Sequence, residues 1–490
     1  MSCITIAGRI YLVGELLCLV LLQLVGCSPA IMQPAAPVTM PAHFSMPGKQ
    51  VLPEKWWTAF QDPVLDELVA RSLAGNFDLR TAWDRLHQAE AIARQAGAEL
   101  WPTLDAQAGA AHTWNSGDNS STDDDTFSAN LRAGYEVDLW GRLGSLRDAA
   151  VLDTRASRSD LQTAALTLSA EVSSTWYQLV EQYGQLDLLI DQLAINEQVL
   201  DLVTLRFRRG QVGAADVLQQ RELVASIQGQ KALVKGQVQT LAHQLAVLLG
   251  LPPKTKVAPR IARFGPLPPL PQTGVPAALL RRRPDLQSAY FGIMAADRRV
   301  AAAIADRFPR LDLTAEAGSF SGEASALFDG WLATLAANIA GPVFDGGRRR
   351  AEVERTRAVA SERIHAYGQT ILAALREVED ALTQERRQRE YIATLDQQLA
   401  LAAKVVDRVR DRYIRGQENY LRVLDALLTH QSLQRSRLSA QLQLVQVRID
   451  LCRALAGSWK LKQPEGTGDH PPAGDTALQG ARGENDARSS

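Results

Sequence analysis

The sequence predicts an α+β membrane protein that is built from two copies of one structural unit, each with two β-strands and two unusually long helices. Three observations predict this fold class. Short segments recur after about 207 residues, four segments alternate between polar and apolar residues, and two very long segments have the pattern of helices.

The internal duplication is visible at two places in the chain. Residues 101–105 (WPTLD) recur 207 residues later as 308–312 (FPRLD), and residues 206–211 (RFRRGQ) recur 206 residues later as 412–417 (RYIRGQ). A repeat at constant spacing indicates that the two units occupy equivalent places in a ring or stack. We therefore expect a conduit built from repeats rather than an enzyme with one pocket.

The N-terminus has the pattern of a signal peptide followed by a lipid-attachment site. Residues 16–27 (LLCLVLLQLVGC) are apolar but shorter than the ~20 residues that cross a bilayer. Residues 24–27 resemble the bacterial lipobox, in which the cysteine is acylated and becomes the mature N-terminus. We expect a signal peptide at 1–26, lipidation of Cys27 and an acylated tether at 27–61. The alternative is an apolar leader with an incidental cysteine.

The composition excludes several classes of protein. A net charge of −1 provides no basic field for binding nucleic acid. Once residues 1–26 are removed, Cys27 and Cys452 are the remaining cysteines, too few for a disulfide framework. The seven histidines have no zinc-site spacing, and no phosphate-loop glycine pattern occurs. The sequence therefore predicts neither catalytic residues nor a metal nor another cofactor.

Four strands are predicted from alternation, at 101–114, 126–140, 308–320 and 331–344. The clearest segment is 127–139, whose odd positions are apolar and whose even positions are polar or glycine. Aromatic residues lie at the strand ends, as in the girdles of membrane barrels: Trp101, Trp114, Trp140, Phe308 and Phe320. The acidic segment 115–125 is predicted to be an external loop. A soluble antiparallel sheet with one wet face is the alternative.

Each pair of strands is followed by two long helices. In the first repeat, 62–270, they are predicted at 143–209 and 214–249. In the second repeat, 271–459, they are predicted at 347–415 and 420–455. At ~1.5 Å per residue the first of them would reach roughly 100 Å. Apolar residues at every seventh position from Val172 to Leu200 predict supercoiling against a partner helix. The polar residues 460–490 are predicted to be a disordered tail.

Six motifs occur in the order in which one protein family carries them. They are 56–57 (WW), 135–142 (YEVDLWGR), 282–285 (RRPD), 341–347 (GPVFDGG), 377–382 (EVEDAL) and 420–426 (YLRVLDA). From about Trp56 to Trp459 the chain thereby resembles the TolC-type outer-membrane efflux proteins. Within them it is most similar to the NodT-like efflux lipoproteins, the outer-membrane factors of tripartite resistance-nodulation-division (RND) systems.

The resemblance implies a homotrimer. Four strands cannot close a barrel, and an open sheet edge in lipid leaves backbone groups unpaired. Three copies give a twelve-stranded transmembrane β-barrel, continuous with a twelve-helix periplasmic α-barrel. The even face of 127–139, with Asn130, Arg132, Glu136 and Asp138, would line the barrel lumen, and the odd face would meet outer-membrane lipid.

The implied function is an exit duct of the outer membrane that extends into the periplasm. It would export small molecules such as antibiotics, together with a periplasmic membrane-fusion adaptor and an inner-membrane pump, expected to be of the RND type. Two alternatives stay open at this point. One is a type I secretion channel for proteins, and the other is a lipid-anchored periplasmic coiled-coil scaffold without a pore.

The resemblance also implies a gate at the periplasmic tips of the helices, which docking of the pump and adaptor would open. The family's constriction corresponds here to Arg412, Tyr413, Leu421 and Asp425. Three copies would form a charged ring, a phenol belt and an apolar plug. Secondary candidates at the two tips are Arg206, Phe207, Asp216, Gly210 and Gly416. The alternative is a solvated run of charges beside an amphipathic stripe.

Overall fold

The computed structural model describes the backbone of residues 36–117 and 120–463, and their side chains except those of 115–123. The predicted signal peptide, the lipidation site at Cys27 and the part of the tail from residue 464 onward lie outside the described residues. None of the described helices is long and apolar enough to cross a membrane.

The two repeats contain the same elements in the same order. In the first repeat these are α1 (Pro63–Gly75), α2 (Phe77–Ala98), β1 (Thr103–Gly117), β2 (Ser120–Val137), α3 (Arg142–Arg208) and α4 (Ala214–Leu248). In the second repeat they are α5 (Leu279–Arg282), α6 (Pro284–Ala305), β3 (Arg310–Ser321), β4 (Leu332–Ala340), α7 (Arg348–Ile414) and α8 (Tyr420–Leu455).

The lengths of three pairs of equivalent helices show the duplication that the sequence predicts. Helices α3 and α7 both have 67 residues, and α2 and α6 both have 22. Helices α4 and α8 have 35 and 36 residues. The helices of each of these three pairs begin 206 or 207 residues apart. The predicted α+β class, with four strands and very long helices in a duplicated chain, is confirmed.

The chain divides into two compact units, which we describe separately. The sheet unit includes Gln88–Ala156 and Ala289–Gly368, and the helical unit includes Val38–His87, Ser157–Ser288 and the chain from Gln369 onward.

The sheet unit contains one antiparallel sheet in the order β1-β2-β3-β4. The hairpin of β1 and β2 is longer than predicted, because pairing continues to Gly117 and Ser120 through the acidic segment expected to be a loop. Ladder hydrogen bonds join backbone groups, so polar side chains do not interrupt them. Strand β4 is shorter than predicted and ends at Ala340, just before Pro342, which lacks an N–H for the ladder.

The register brings most of the polar residues of the four strands onto one face. Three of the rows that they form across the sheet are Gln107–Asn130–Gly318, Asp105–Arg132–Glu316–Thr334 and Glu136–Asp312–Asn338. The opposite face is apolar, and three of its large side chains, Leu104, Leu335 and Ile339, are more than 70% exposed. An exposed apolar face of this extent marks a surface that another copy or lipid covers.

Hydrogen bonds fix the corners where strands lead into the long helices. The Asp138 carboxylate accepts from the N–H groups of Leu143 (3.0 Å) and Gly144 (2.7 Å), at the start of α3. The ring of Trp140 stacks on Phe308 at 4.8 Å, and its indole N–H donates to the Pro309 carbonyl at 2.6 Å. The start of α3 is thereby attached to the start of β3.

The helical unit has an apolar core that joins the two ends of its chain. Trp57 packs edge-on against Trp459, with ring centroids 5.3 Å apart. The Trp56 indole donates to the Ser169 hydroxyl at 3.0 Å, and the Trp176 indole donates to the Asp62 carboxylate at 2.8 Å. Trp56 therefore attaches the N-terminal segment to α3, and Trp57 attaches it to the segment after α8.

Two buried arginines of the helical unit form ion pairs. Arg283, from the RRPD motif, contacts the carboxylates of Asp285 (2.7 Å) and Glu377 (2.9 Å). Arg448 of α8 is 0% exposed and pairs with Glu385 of α7, which is 1% exposed. The Arg448 guanidinium also donates to the Pro268 carbonyl, so the same side chain attaches the proline-rich connector to the helices.

Replacing Glu385 should strongly destabilise the helical unit. We expect Glu385→Ala to lower the free energy of unfolding by about 3–5 kcal/mol, because it leaves the Arg448 charge buried without its partner. The control is Glu354→Ala, which breaks an exposed pair with Arg350 and should cost about 0–1 kcal/mol. Denaturant unfolding in detergent, followed by circular dichroism, measures both. Equal losses in the two variants would contradict this role of the buried pair.

Candidate functional site

The helical hairpins turn at the two predicted glycines, which we call the first tip (209–213) and the second tip (415–419). Gly210 has a φ of 72° and Gly416 a φ of 75°, a left-handed conformation that side chains with a Cβ disfavour. At both tips the N–H groups after the helix bond back to its last carbonyls, as in Gly210 to Phe207 and Gly416 to Tyr413. The two tips therefore end their helices in the same way.

The helices that leave the tips begin with caps that differ between the repeats. At α4 the Asp216 carboxylate accepts from the Gly213 N–H at 3.2 Å. At α8 the Asn419 side chain accepts from the Arg422 N–H at 3.0 Å. Asp216, a secondary gate candidate, is half-buried and contacts its own turn, so the structure gives it a capping contact.

Arg206 of the first tip reaches the end of α7. Its guanidinium lies 4.2 Å from the centre of the Tyr413 ring, and it donates to the carbonyls of Tyr413 (3.1 Å) and Ile414 (3.2 Å). These carbonyls belong to the last turn of a helix, where a cation is stabilising. One arginine therefore connects the two hairpins of the chain.

A buried chain of polar groups lies beside this contact. The Tyr420 hydroxyl donates to the Gln220 side-chain oxygen, and the Gln220 amide donates to the carbonyl (2.7 Å) and side-chain oxygen (3.2 Å) of Asn196. The Tyr413 ring lies 6.4 Å from the Tyr420 ring and is 4% exposed, and its hydroxyl has no hydrogen-bond partner among the described residues.

Three of these residues, Asn196, Gln220 and Tyr420, were not predicted as site residues. Tyr420 could have been considered because it opens the 420–426 motif. Asn196 and Gln220 are buried amides, which a search for apolar periodicity does not identify.

The other predicted gate residues lie exposed on the helices beside the tips. The Arg412 side chain is 60% exposed and lies 3.6 Å from Glu418, a residue that was not predicted for the gate. Leu421 is 52% exposed, Asp425 is exposed, and Phe207 is 44% exposed. Within one chain the structure brings Arg412 to Glu418, and it records no ion pair with Asp425 among the described residues. Tyr413 is separate from this exposed set because it is buried.

The predicted lumen residues lie at the polar face of the sheet and at its end. Asn130 is opposite Gly318, where a Cβ would collide with the Asn130 amide, so glycine leaves room for it. Arg132 lies in register between Asp105 and Glu316.

The two acidic members of the predicted lumen set make local contacts. Glu136 accepts both hydrogen bonds of the Arg142 fork, at 3.1 and 2.7 Å. Asp138 lies one residue beyond the end of β2 and caps α3, so its carboxylate is occupied by backbone N–H groups. Among the described residues, no group of three or more His, Cys, Asp or Glu side chains is placed to hold a metal ion.

The tip should lose stability at high pH through Tyr420. Burial, and then the nearby Asp216 carboxylate, raise the pKa of this phenol well above its ordinary value of about 10. The neutral phenol therefore stabilises the folded tip below about pH 10, and that contribution is lost as the pH rises further. Tyr420→Phe should cost about 1–3 kcal/mol at pH 7, because Gln220 loses its donor, and should have a flatter stability curve above pH 10. Denaturant unfolding across pH tests this, and parallel curves would contradict it.

Comparisons of the sequence and of the structure with known proteins both point to one protein family. The outer membrane efflux protein family matches residues 68–251 and 275–457, ranges that begin 207 residues apart and thus follow the two repeats. The chain is 36% identical over 460 residues to the pyoverdine export outer membrane protein OpmQ of Pseudomonas putida, covering 90% of this chain and 97% of that protein.

Two further relatives support the assignment. The toluene efflux pump outer membrane protein TtgI of Pseudomonas putida is 32% identical over 475 residues, covering 90% of this chain and 98% of its own. The outer membrane channel MtrE of Neisseria gonorrhoeae, solved in its open state, superposes with a TM-score of 0.78 at 25% identity, covering 88% of this chain and 98% of that one. The chain therefore belongs to the outer membrane efflux protein family, and it is an efflux protein of the outer membrane.

Proposed function

We propose that three copies of this chain form the exit duct of a tripartite efflux system. The observation that carries the proposal is the open sheet. Among the described residues, β1 pairs with β2 alone and β4 with β3 alone, so both outer edges present unpaired backbone groups. Such edges are not tolerated in lipid, and joining β4 of one copy to β1 of the next in a threefold ring pairs both.

The two faces of the sheet fit the two environments of such a ring. The apolar face, with Leu104, Leu335 and Ile339, faces lipid, and the face with the rows of Asn130 and Arg132 lines a water-filled bore. Two acidic residues at the end of the polar face have local partners, since Glu136 is paired with Arg142 and Asp138 caps α3. Asp105 and Glu316 then outnumber Arg132 in the central row of charges.

The gate lies at the second tip in this proposal. Arg412, Leu421 and Asp425 are exposed within one chain, so they are available to the neighbouring copies around the threefold axis. In the closed duct Asp425 meets Arg412 of the next copy, and the three Leu421 side chains exclude water. Tyr413 supports this surface from beneath, because it is buried and fixed by Arg206.

The partners bind at the exposed tips. A periplasmic adaptor presents helical hairpins to the two tips, and an inner-membrane pump, of the RND type, supplies the cargo. Docking draws Arg412 toward adaptor groups and away from Asp425, which opens the gate. The Neisseria gonorrhoeae channel has been solved in an open state, which is consistent with a mouth that changes shape.

The cargo is a class of small organic molecules. Relatives that this chain matches over 90% of its length are named for pyoverdine export and for toluene efflux. No contact among the described residues favours protein export or a scaffold without a bore. Lipidation of Cys27 stays a prediction that complements the duct, since an N-terminal acyl chain would anchor each copy in the outer membrane.

The assembly is tested by its size and conductance. The full-length protein, extracted in detergent, should migrate as a trimer on unheated gels and should conduct ions in planar lipid bilayers. Both results follow from closing the sheet edges around an aqueous bore. A monomer that stays soluble without detergent and does not conduct would contradict the proposal.

Removing the charges at the second tip should open the duct. We expect Arg412→Ala/Asp425→Ala to raise the closed-state conductance and antibiotic uptake by about 10- to 100-fold, as a charge-assisted hydrogen bond contributes roughly 1.5–3 kcal/mol to the closed state. The matched control is Arg387→Ala/Glu390→Ala, which removes an exposed pair on α7 remote from the tip. If both double variants conduct like the wild type, the gate is not at these residues.

A further inference from the structure

A row of buried polar side chains on α3 faces α8, at some distance from the tips. On α3 the row consists of Glu181, Gln185 and Gln192, all of them buried. On α8 its partners are Gln431, Gln434, Arg435 and Ser439. We call these seven residues the polar seam. All of them lie in the helical unit.

The contacts of the polar seam step along both helices in opposite directions. Ser439 donates to Glu181 at 2.9 Å. Gln185 donates to the Arg435 carbonyl at 3.2 Å and to the Ser439 hydroxyl at 3.1 Å. Partners nearer the end of α3 lie nearer the start of α8, so the helices are antiparallel here.

Gln192 uses both the oxygen and the nitrogen of its side-chain amide in the seam. Its side-chain oxygen accepts from the Arg435 guanidinium at 2.6 Å, and its amide donates to the Gln431 carbonyl at 3.3 Å and the Gln434 oxygen at 3.2 Å. Both ends of the amide are thus used by α8. A hydrogen-bonded amide in a helix interface specifies register, because a shifted helix does not offer the same donors and acceptors.

Apolar packing accompanies the polar seam. Leu189 of α3 packs with Leu223 of α4, and Leu424 of α8 packs against the same cluster. Nearer the tips, Val203 of α3 shares an apolar cluster with Val423 of α8. Because apolar packing is non-directional, the hydrogen bonds of the seam are what distinguish one register of α8 from another.

The present register leaves one buried polar atom of the seam unpaired. The Gln431 side-chain nitrogen is buried and has no hydrogen-bond partner among the described residues. Nearer the tip, the Tyr413 hydroxyl is in the same condition. Unpaired buried polar groups are unfavourable. The seam is therefore held in a register that does not satisfy all of its own groups.

We propose that the polar seam is a register lock for the gate, in which Gln185 and Gln192 are positioning residues that hold α8 where its gate residues close the duct. The proposal deepens the proposed function and rests on it. Arg435 lies ten residues beyond Asp425 on the same continuous helix, ~15 Å along its axis. A one-turn shift at the seam would move Leu421 and Asp425 by ~5.4 Å, enough to separate the three copies of the plug.

The first test keeps the size of Gln192 and removes its hydrogen bonds. Gln192→Met should raise the closed-state conductance of the full-length trimer in planar bilayers roughly tenfold, because three hydrogen bonds that favour the closed register are lost. The control is Gln178→Met on the same helix, where the amide bonds within α3 to Ser174 at 3.2 Å. Trimers that resist heating on gels show that both variants fold.

The second test fixes the register covalently. Gln185→Cys/Ser439→Cys joins two side chains that are in hydrogen-bond contact, and a short thiol crosslinker bridges them. Cys452 does not compete, because it is buried and burial raises the pKa of its thiol to about 12. Crosslinking should suppress the leak of Arg412→Ala/Asp425→Ala, and a reducible crosslinker should restore it on reduction.

The outcomes separate this proposal from the one on which it rests. A leak in Gln192→Met but not in Gln178→Met, with suppression by the crosslink, supports the register lock. If Gln192→Met conducts like Gln178→Met while the Arg412/Asp425 variant leaks, the lock is overturned and the gate stands. An unsuppressed leak in the crosslinked protein also overturns the lock. Failure of every variant to leak overturns both proposals.

Discussion

The structure depends on one constraint, which is that backbone N–H and C=O groups need partners wherever water is absent. A chain with four strands pairs its own backbone on the three internal ladders and leaves the outer edges of β1 and β4 open among the described residues. Nothing within the described part of the sheet unit covers those edges, and the apolar face beside them is exposed. In the proposed trimer, joining the copies pairs the open edges, lipid covers the apolar face, and every polar row surrounds one bore.

Much of this architecture could be predicted from the sequence, because alternation and heptads are properties of one chain. The 127–139 alternation identified the polar face, and the 206-residue repeat identified equivalent helices. The bounds of the β1–β2 hairpin could not be predicted, since the acidic residues that favour a loop do not prevent a ladder of backbone hydrogen bonds. The end of β2 could not be predicted for a similar reason. Asp138 continues the alternation of the strand by one residue, but β2 ends at Val137, and the helix that Asp138 caps begins just after it.

The candidate gate was only partly predictable, because its contacts join residues that are about 200 positions apart. Resemblance supplied Arg412, Leu421 and Asp425, whose exposure suits contacts between copies. It could not supply Gln220 as the partner of Tyr420, because that contact depends on how the first hairpin lies against the second. The duplicated sequence also does not reveal that two equivalent arginines have different contacts. Arg206 and Arg412 are equivalent in sequence, but Arg206 binds the end of α7 and Arg412 lies in solvent beside Glu418.

That difference between equivalent residues indicates how a duplicated chain can have one mobile part. Arg206, the Tyr420–Gln220 bond and the polar seam all join the hairpin of α3 and α4 to the hairpin of α7 and α8. Each of these contacts is directional, because a hydrogen bond needs its donor and acceptor in line. Apolar packing joins the hairpins as well, since Val203 of α3 and Val423 of α8 share one cluster. Such packing is non-directional, so the polar contacts determine the register of one hairpin on the other, and exposed charges at a tip can shift it.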